Sequence, residues 1–521
     1  MTTRLALRTT KAAVLPISLD RTAEDPLHRQ LYEQLRETIL TGRLQAGSRL
    51  PATRTLARDL EISRNTVTAA FDQLLAEGYL EGRVGAGTFV TSELPEEALS
   101  VLGGPIGVGS GGIGSGGINS DGRSPTLQDL KSSPRQRGLS RRGTQLAGLR
   151  RRRTRRGLAF APGVPELRNF PFDIWARLMA RAWRRPPMDL MANTEPAGYM
   201  PLRRTIADYV RTARGVRCEV EQVIIVSGAQ QAIGLAAHVL LDEGDRALVE
   251  DPGYPGIRGA LMAAGVKVVP APVDDEGLDI ATGEAKAPDA RFVCVAPSHQ
   301  YPLSVTMSLA RRLALLDWAQ RVDGWIIEDD YDSEYRYSGK PLAALQGLDR
   351  DNRVVYVGSF SKTMFPSLRL GYLVVPPDLT DSFRFARAAL DDHPSTVAQP
   401  ALTAFIEDGY FAAHLRRMRK LYAHRQELLI SAAHEHLDDL LTIGPAEAGM
   451  HILARQKPAM TVRMDDIQAT RRAEAAGITV SPLSSFYHEY PAQQGLMLGY
   501  AAVDEEEIPK AVAKLAEALR Q

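Results

Sequence analysis

Hydrophobic residues recur at two different spacings along this chain of 521 residues. Between Leu27 and Ile39 apolar residues lie three or four positions apart, which predicts an amphipathic helix. Thr53 is the expected N-cap of a second helix, and Ser63 that of a third helix that ends near Gly78. Two short strand patterns joined by a glycine-rich turn follow. Residues 20–92 are therefore predicted to form a compact helical unit that ends in a two-stranded wing.

From residue 158 onward, short and almost continuously apolar runs alternate with helical patterns. The predicted strands are Val223–Val226, Arg246–Val249, Val266–Val269, Phe292–Val295, Trp325–Ile327, Val354–Val357 and Gly371–Val375. Strands that are apolar throughout are typical of a mostly parallel sheet covered by helices on both faces. Residues 158–521 are therefore predicted to form one α/β domain.

The segment between these two regions, 93–157, has the composition of a flexible linker. It is rich in Gly and Ser from Gly103 to Gly117, and arginine dominates from Arg150 to Arg156. Such a segment cannot build a hydrophobic core, so we expect a solvated tether. Its positive charge would also allow sequence-independent contact with DNA phosphates.

Composition excludes several classes of protein. Cys218 and Cys294 are the only cysteines, and both lie in apolar runs, so neither a disulfide framework nor a metal site is expected. No apolar run reaches the roughly 20 residues that a membrane span requires, and no signal peptide is evident. These features indicate a cytoplasmic protein without a membrane partner. The net charge of +1 shows no preference for nucleic acid over the chain as a whole.

The N-terminal unit has the pattern of a helix-turn-helix. A capped helix that starts with polar and basic residues is suited to meet base edges and phosphates, and the glycine loop from Arg83 to Thr88 would form a wing. An ordinary three-helix packing module is the alternative. The segments 50–57, 63–67, 74–80 and 85–90 closely resemble the GntR-type winged helix, which implies DNA binding. The expected contact residues are Arg54, Ser63, Arg64, Asn65, Thr66 and Gly87.

The second region carries the groups that a phosphorylated aldehyde requires. Lys362 is the candidate amine for a Schiff base, while Ser359, Ser361 and Arg369 are candidates for holding the phosphate. Asp329 follows a predicted strand, where a carboxylate would keep a pyridine nitrogen protonated. These residue types together predict a site for pyridoxal 5'-phosphate.

Other side chains complete this candidate site. Tyr331 is expected near the ring oxygen, and Tyr254 is expected to stack on the ring. The start of a helix after the strand at Val223–Val226 would cup the phosphate with its backbone N–H groups. The residues of this cup are Gly228, Ala229 and Gln230.

The order of these motifs resembles that of the fold type I aminotransferases over almost all of residues 158–521. The resemblance implies that Lys362 forms the Schiff base with pyridoxal phosphate and that Tyr199 reaches the phosphate of a partner subunit. Two positions depart from the family pattern. Tyr301 stands where many members have asparagine, and Met497 stands where an arginine for the substrate carboxylate is expected. Arg455 is another candidate for that role.

A winged helix, a tether and an aminotransferase-like domain in this order resemble the MocR subfamily of GntR-type regulators. The fold class that this implies is multidomain, with an N-terminal α/β winged helix-turn-helix and a C-terminal α/β fold type I domain. The resemblance further implies a head-to-tail homodimer that binds double-stranded DNA at paired or repeated half-sites. It would sense pyridoxal phosphate or a small amine, and regulate vitamin B6 synthesis or amine metabolism. An aminotransferase with an appended DNA-binding domain is the alternative, and a scaffold with an inactive pocket is a third possibility.

Overall fold

The computed structural model of the chain describes residues 3–8, 14–20, 25–40, 44–83, 87–91, 139–149, 159–192, 195–337 and 342–521. Most of the predicted linker, including its glycine-rich run and the arginine run 150–156, lies outside the described residues. The chain divides into an N-terminal unit, up to residue 107, and a larger unit that holds most of residues 108–521. Within the described residues, no helix is long and apolar enough to span a membrane.

The N-terminal unit contains a hairpin, three helices and a two-stranded wing. In chain order its elements are β1 (Thr3–Arg8), β2 (Val14–Leu19), α1 (Leu27–Leu40), α2 (Thr53–Asp59), α3 (Arg64–Ala76), β3 (Leu80–Arg83) and β4 (Gly87–Val90). Ile17 and Leu19 of the hairpin are buried in the same core as Leu31 and Leu35 of α1. The boundary predicted at residue 20 omitted this hairpin, whose place in the core depends on contacts with α1.

Helix ends in this unit follow local chemistry with one exception. Ser63 caps α3 by accepting a hydrogen bond from the backbone N–H of Thr66 at 3.0 Å, as predicted. The prediction of Thr53 as an N-cap was wrong, because α2 begins at Thr53 and its N-cap is Ala52, which makes no side-chain cap. Gly78 follows α3 with φ +79°, a backbone conformation that favours glycine.

A short helix, α4 (Arg141–Gly148), lies within the segment that was predicted to be an unstructured tether. Its N-cap is Ser140, which accepts a hydrogen bond from Gly143 N at 2.9 Å. Leu146 and Leu149 pack against a core cluster of the large unit. This helix could not be predicted from local sequence, because eight residues without a core of their own are not stable as an isolated helix.

The large unit begins at residue 159 with an alternation of helices and strands. Its helices up to the main sheet's last strand are α5 (Phe172–Arg184), α6 (Met188–Met191), α7 (Met200–Arg214), α8 (Ala229–Leu240), α9 (Pro255–Ala263), α10 (Ile280–Lys286), α11 (Leu309–Arg321), α12 (Leu345–Leu348) and α13 (Phe360–Thr363). The strands are β5 (Val223–Val226), β6 (Arg246–Asp251), β7 (Lys267–Asp274), β8 (Gly277–Leu278), β9 (Phe292–Val295), β10 (Trp325–Asp330), β11 (Val354–Ser359) and β12 (Gly371–Val374).

These strands form one eight-stranded sheet in the order β5-β12-β11-β10-β9-β6-β7-β8. The pairs around β6, β7, β9, β10 and β11 are parallel, whereas β12 is antiparallel to both of its neighbours. Core clusters cover the two faces of the sheet, which explains why its strands are apolar throughout. The carboxyl ends of the parallel strands therefore meet along one edge, where open α/β sheets bind ligands.

The C-terminal part of the large unit adds a smaller sheet. Its elements are α14 (Thr380–Asp391), α15 (Gln399–Glu407), α16 (Tyr410–His436), β13 (Leu441–Thr442), β14 (His451–Gln456), α17 (Pro458–Arg463), α18 (Asp466–Ala475), β15 (Ser481–Pro482), β16 (Gly495–Gly499) and α19 (Glu507–Arg520). The four strands are antiparallel in the order β13-β14-β16-β15. An isolated bridge between Phe160 and Gly499 joins the start of this unit to the end of β16.

Candidate functional site

The predicted DNA-contacting residues lie on the exposed side of α2, α3 and the wing. Arg54, Arg64 and Asn65 are exposed, and Ser63 and Thr66 are tied to each other by a contact of 2.8 Å between their hydroxyl oxygens. The Ser63 oxygen also holds the first turn of α3, so its role in the structure is that of a cap. Next to it, the exposed side chains of Arg64 and Asn65 form no hydrogen bond or ion pair with the described residues and can meet a ligand on this face.

Gly87 begins the second wing strand with φ +112°. A side chain here would be strained, and its Cβ would lie 3.0 Å from Nε of Arg49. Arg49 is therefore a further basic group at the wing that the sequence analysis did not identify. Local sequence could not predict the position of Arg49, because the β-bridge that places it opposite Phe89 joins distant parts of the chain.

Lys362 lies on the short helix that follows β11, at the edge where the parallel strands end. Its Nζ donates a hydrogen bond to the carbonyl oxygen of Gly163 at 2.6 Å. Burial lowers the pKa of Lys362, and the nearby carboxylates of Asp332 and Asp329 oppose this shift. A lowered pKa increases the fraction of neutral amine, which is the nucleophilic form.

Two adjacent carboxylates at the end of β10 have different surroundings. Asp330 accepts hydrogen bonds from Nε of Arg214 at 2.7 Å and from the hydroxyl of Tyr356 at 2.5 Å. The Oδ1 of Asp329 is buried and has no hydrogen-bond partner among the described residues. Burial, reinforced by Asp330 and Asp332, raises the pKa of Asp329 to about 7, against the effect of Lys362. An unpaired buried acid beside the lysine fits the pyridine nitrogen of pyridoxal phosphate.

A histidine connects Tyr331 to a second acid. The Nδ1 of His299 lies 2.9 Å from Oδ1 of Asp332 and 3.0 Å from the hydroxyl of Tyr331. The His299 and Tyr331 rings stack with their centroids 5.8 Å apart. The Nε2 of His299 is buried and has no partner among the described residues. The sequence patterns gave no role to His299, whose contacts with Asp332 and Tyr331 exist only in the folded chain.

The residues expected to hold a phosphate converge on the start of α8. Gly228 has φ +119°, and a Cβ there would lie 3.6 Å from Nη1 of Arg369. Ser359 stands opposite Gly371 across the β11–β12 pair, and a Cβ on Gly371 would approach the Cα of Gly228 to 3.0 Å. The Ser359 hydroxyl oxygen accepts a hydrogen bond from Ser361 N at 3.2 Å. Strand ends and a helix N-terminus thus form a polar cup.

The remaining cup and ring residues are placed by their neighbours. Gln230 uses its side-chain amide to donate to the carbonyl oxygen of Gly256 at 3.4 Å, and Ala229 is the first residue of α8. Tyr254 precedes α9 and contacts Tyr301 edge-on at 6.0 Å. The backbone N–H of Tyr199 donates to Gln399 at 2.9 Å. No described contact joins the Tyr199 side chain to this pocket.

Tyr301, the first position that departs from the aminotransferase pattern, forms one wall of the pocket with its aromatic neighbours. The Tyr301 ring contacts Tyr254, Tyr331, His451 and Phe486 at centroid distances of 5.3–6.1 Å. Burial, followed by the effect of His299, lowers the pKa of His451 to about 3, so this ring is neutral. This wall is therefore aromatic and uncharged.

Neither Met497, the second departure, nor Arg455, the other candidate, places a cation at this wall. Met497 is fully buried and lies opposite Leu453 on β14 and Ser481 on β15. Arg455 is partly exposed and donates a hydrogen bond to Gln493. The described residues contain no group of three or more His, Cys, Asp or Glu side chains arranged to hold a metal ion.

Comparison with known proteins finds a separate family match in each of the two units. Residues 27–90 match the bacterial regulatory proteins of the gntR family, and residues 187–515 match aminotransferase class I and II. The chain is 44% identical to the probable rhizopine catabolism regulatory protein MocR of Rhizobium meliloti, covering 95% of this chain and 94% of that protein. It is 30% identical to the pyridoxine biosynthesis transcriptional regulator PdxR of Corynebacterium glutamicum, over 97% and 99% of the two chains.

A solved structure shows the same fold for the large unit. Kynurenine aminotransferase of Pyrococcus horikoshii is 27% identical with a TM-score of 0.63, covering 70% of this chain and 90% of that one. The large unit thus has the fold type I aminotransferase fold, in a family whose members typically bind pyridoxal phosphate. Because the winged helix and this domain are joined as in full-length regulators, the chain belongs to the MocR subfamily of GntR-type transcriptional regulators.

Proposed function

We propose that this protein binds pyridoxal phosphate at Lys362 and regulates transcription in response to that cofactor or to an amine that reacts with it. The observation that carries the proposal is the unpaired, buried Asp329 beside Lys362 at the sheet edge. A buried acid without a partner is costly unless a ligand completes its hydrogen bonding. A protonated pyridine nitrogen would do so.

Each group around Lys362 has a distinct task in this proposal. Bound pyridoxal phosphate would supply an aldehyde that can exchange between amines. Asp329 would hold the pyridine nitrogen, and Tyr331, oriented by His299, would donate to the ring oxygen. Tyr254 would stack on the ring. The phosphate would be held by Gly228, Ala229, Gln230, Ser359, Ser361 and Arg369, with Tyr199 reaching the site of the partner subunit in a head-to-tail homodimer.

The output of the switch is DNA binding. An amine that exchanges with Lys362 would favour one conformation of the dimer over another. This shift in population would change how the two α3 helices are oriented toward paired or repeated half-sites in the DNA. The basic linker would add sequence-independent affinity. As a regulator bound to bacterial DNA, the protein would act in the cytoplasm.

The relatives are named for two kinds of regulated process. One is named for rhizopine catabolism and another for pyridoxine biosynthesis, so both amine metabolism and vitamin B6 synthesis fit the proposal. The lowered pKa of Lys362 supports either effector, because the neutral amine is the form that reacts with the cofactor aldehyde and also the form released when another amine replaces it.

Cofactor titration tests the proposal directly. Adding pyridoxal phosphate to the wild-type protein should give a visible absorbance band and a lysine adduct that borohydride reduction makes permanent. Lys362→Ala should lose both, and its operator binding should no longer respond to the cofactor. A mutant that retains the same reducible adduct would contradict the assignment of Lys362.

A PLP-dependent aminotransferase with an appended DNA-binding domain is the second candidate, favoured by the aminotransferase fold itself. The identities of Tyr301 and Met497 argue against it, because Met497 stands where the family pattern has the arginine for the substrate carboxylate and Tyr301 where many members have asparagine. A steady-state transamination assay with a panel of amino acids separates the two candidates. Turnover at ordinary enzyme rates, on the order of 1–1000 per second, would support the enzyme.

A further inference from the structure

A small cavity lies beside Tyr254, between the first turns of α9 and the segment that precedes β16. Its wall includes Arg258, Ser485, Phe486 and His488. The volume of the cavity is ≈ 30 Å³. This exceeds the roughly 10–15 Å³ that one water molecule requires. The cavity therefore has room for a small polar group.

Arg258 is a buried cation whose hydrogen bonding is incomplete. It is 9% exposed, and its Nη1 lies 2.8 Å from Nδ1 of His488. Its Nε is buried and has no hydrogen-bond partner among the described residues. No carboxylate of those residues forms an ion pair with it. Burying a guanidinium in this state is unfavourable unless an anion completes the site.

Asp251 carries the carboxylate whose charge acts on Arg258, but its oxygens are already hydrogen-bonded to backbone groups. Its oxygens accept hydrogen bonds from the backbone N–H groups of His488 at 2.6 Å, Glu489 at 2.8 Å and Tyr490 at 2.9 Å. These bonds hold the segment that precedes β16 in place. The charge of Asp251 acts on Arg258 without a hydrogen bond between the two side chains.

His488 supplies a second donor. A guanidinium can only donate, so Nδ1 of His488 accepts from Arg258. Burial, followed by the charges of Arg258 and Lys286, lowers the pKa of His488 to about 4, so the ring is neutral and carries its proton on Nε2. That Nε2 is buried without a partner among the described residues. Two unfilled donors therefore belong to residues of the same wall.

The acid in the wall does not oppose an anion. Glu250 accepts hydrogen bonds from Ala296 N and from the side-chain amide of Gln300, both at 3.2 Å. Burial raises the pKa of Glu250 to about 8, so it is mostly uncharged at neutral pH.

We propose that this cavity binds a carboxylate group, with Arg258 as the counter-ion and the Nε2–H of His488 as the second donor. The cavity shares Tyr254 and Phe486 with the lysine pocket, since both rings contact Tyr301. The carboxylate belongs either to the amine that reaches Lys362 or to a separate small acid. Met497 and Arg455 do not provide this function, because the first is apolar and the second donates to Gln493.

Acetate is a suitable probe, with binding to the full chain measured by saturation-transfer NMR. The wild-type protein should give a saturable acetate signal in the absence of any cofactor. Arg258→Met should reduce this signal at least tenfold. Arg455→Met is the matched control, because it removes an arginine that does not line the cavity and donates to Gln493, and it should leave the signal unchanged.

Melting temperatures separate a binding role from a structural one. Without acetate, Arg258→Met should melt at the same temperature as the wild type or higher, because it removes an uncompensated buried charge. Acetate should raise the melting temperature of the wild type only. Absence of a wild-type acetate signal, its full retention in Arg258→Met, or its loss in Arg455→Met would overturn the proposal.

A second experiment identifies the source of the carboxylate, and it rests on the proposed function. Protein loaded with pyridoxal phosphate is titrated with 3-aminopropanoate, 4-aminobutyrate and 5-aminopentanoate, and with the alkylamines of equal length. If one molecule fills both sites, one amino acid should exchange with Lys362 at least tenfold better than its matched alkylamine, and Arg258→Met should abolish the difference. Equal exchange assigns the cavity to a separate acid. Failure to load the cofactor contradicts the proposed function and leaves the acetate result standing.

Discussion

The Nε of Arg214 lies 2.7 Å from Oδ2 of Asp330, and both side chains are almost completely buried. This ion pair, completed by Tyr356, uses the carboxylate next to Asp329 for structure. Asp329 is thereby left as the acid available to a ligand, although the two residues are adjacent in the sequence and chemically identical.

The two aspartates should respond differently to the same substitution. Asp330→Asn breaks a buried ion pair and is expected to lower the free energy of unfolding by about 3–5 kcal/mol. Asp329→Asn removes a buried acid whose raised pKa destabilises the folded state at neutral pH, so stability there should rise and not fall, while pyridoxal phosphate should bind more weakly. Urea unfolding and a cofactor titration measure these effects. Equal destabilisation by both variants would contradict the distinction.

Stability of the cofactor-free protein should depend on pH through Asp329. The pKa of Asp329 is raised from 3.8 to about 7, so the folded state retains a proton that the unfolded state has lost. Stability is therefore greatest below pH 4 for this group and falls as the pH rises toward 7, by at most about 1.4 kcal/mol per unit. Asp329→Asn should remove the contribution of one proton to the slope of the unfolding free energy against pH. It should keep the contributions of Glu328 and Glu250, whose pKa values are also raised, to about 7 and about 8. An unchanged slope in chemical denaturation between pH 5 and pH 7, approximately the window in which these groups titrate, would contradict the assignment.

Arg64 should contribute to DNA affinity and not to folding. It is exposed in the first turn of α3, so Arg64→Ala is expected to weaken operator binding by about 1–3 kcal/mol and leave the melting temperature unchanged. Arg58→Ala is the matched control, because Arg58 is also exposed but pairs with Asp59. Fluorescence anisotropy with labelled operator at fixed salt measures both. Equal losses in the two variants would place the contact elsewhere.

The α4 helix should depend on Leu149 for its position on the large unit. Leu149 packs against Gly259, where an added Cβ would lie 3.6 Å from Cδ1 of Leu149. Arg142 of the same helix forms an ion pair with Glu243 at 2.6 Å. Leu149→Asp should release the helix and increase tryptic cleavage at Arg142, while cofactor binding persists. Leu139→Asp, at an exposed leucine just before the helix, should have no such effect. Cleavage that is equally slow in both variants would contradict this docking.

Secondary structure was predictable where it depends on local chemistry. The Ser63 cap and the apolar runs that became β5, β9 and β11 needed only side-chain type and spacing. The β1–β2 hairpin and α4 were not predicted, because their apolar residues are stabilised by a surface supplied from elsewhere in the chain. The prediction of Thr53 as an N-cap was wrong by one residue. The N-cap of α2 is Ala52, which makes no side-chain cap that a sequence pattern could reveal.

The reactive and binding groups of this protein could be identified from residue type and order: a lysine after a strand, acids at a strand end, a glycine-rich helix start and a capped basic helix. Those features depend on residue type and short spacing, which act before the chain is folded. Packing establishes that Asp330 is paired while Oδ1 of Asp329 has no partner among the described residues, that Tyr301 lies among four other rings, and that Arg258 is buried beside a cavity. Burial and pairing depend on residues far apart in the chain, such as Arg214 and Asp330, which meet only when the strands and helices pack.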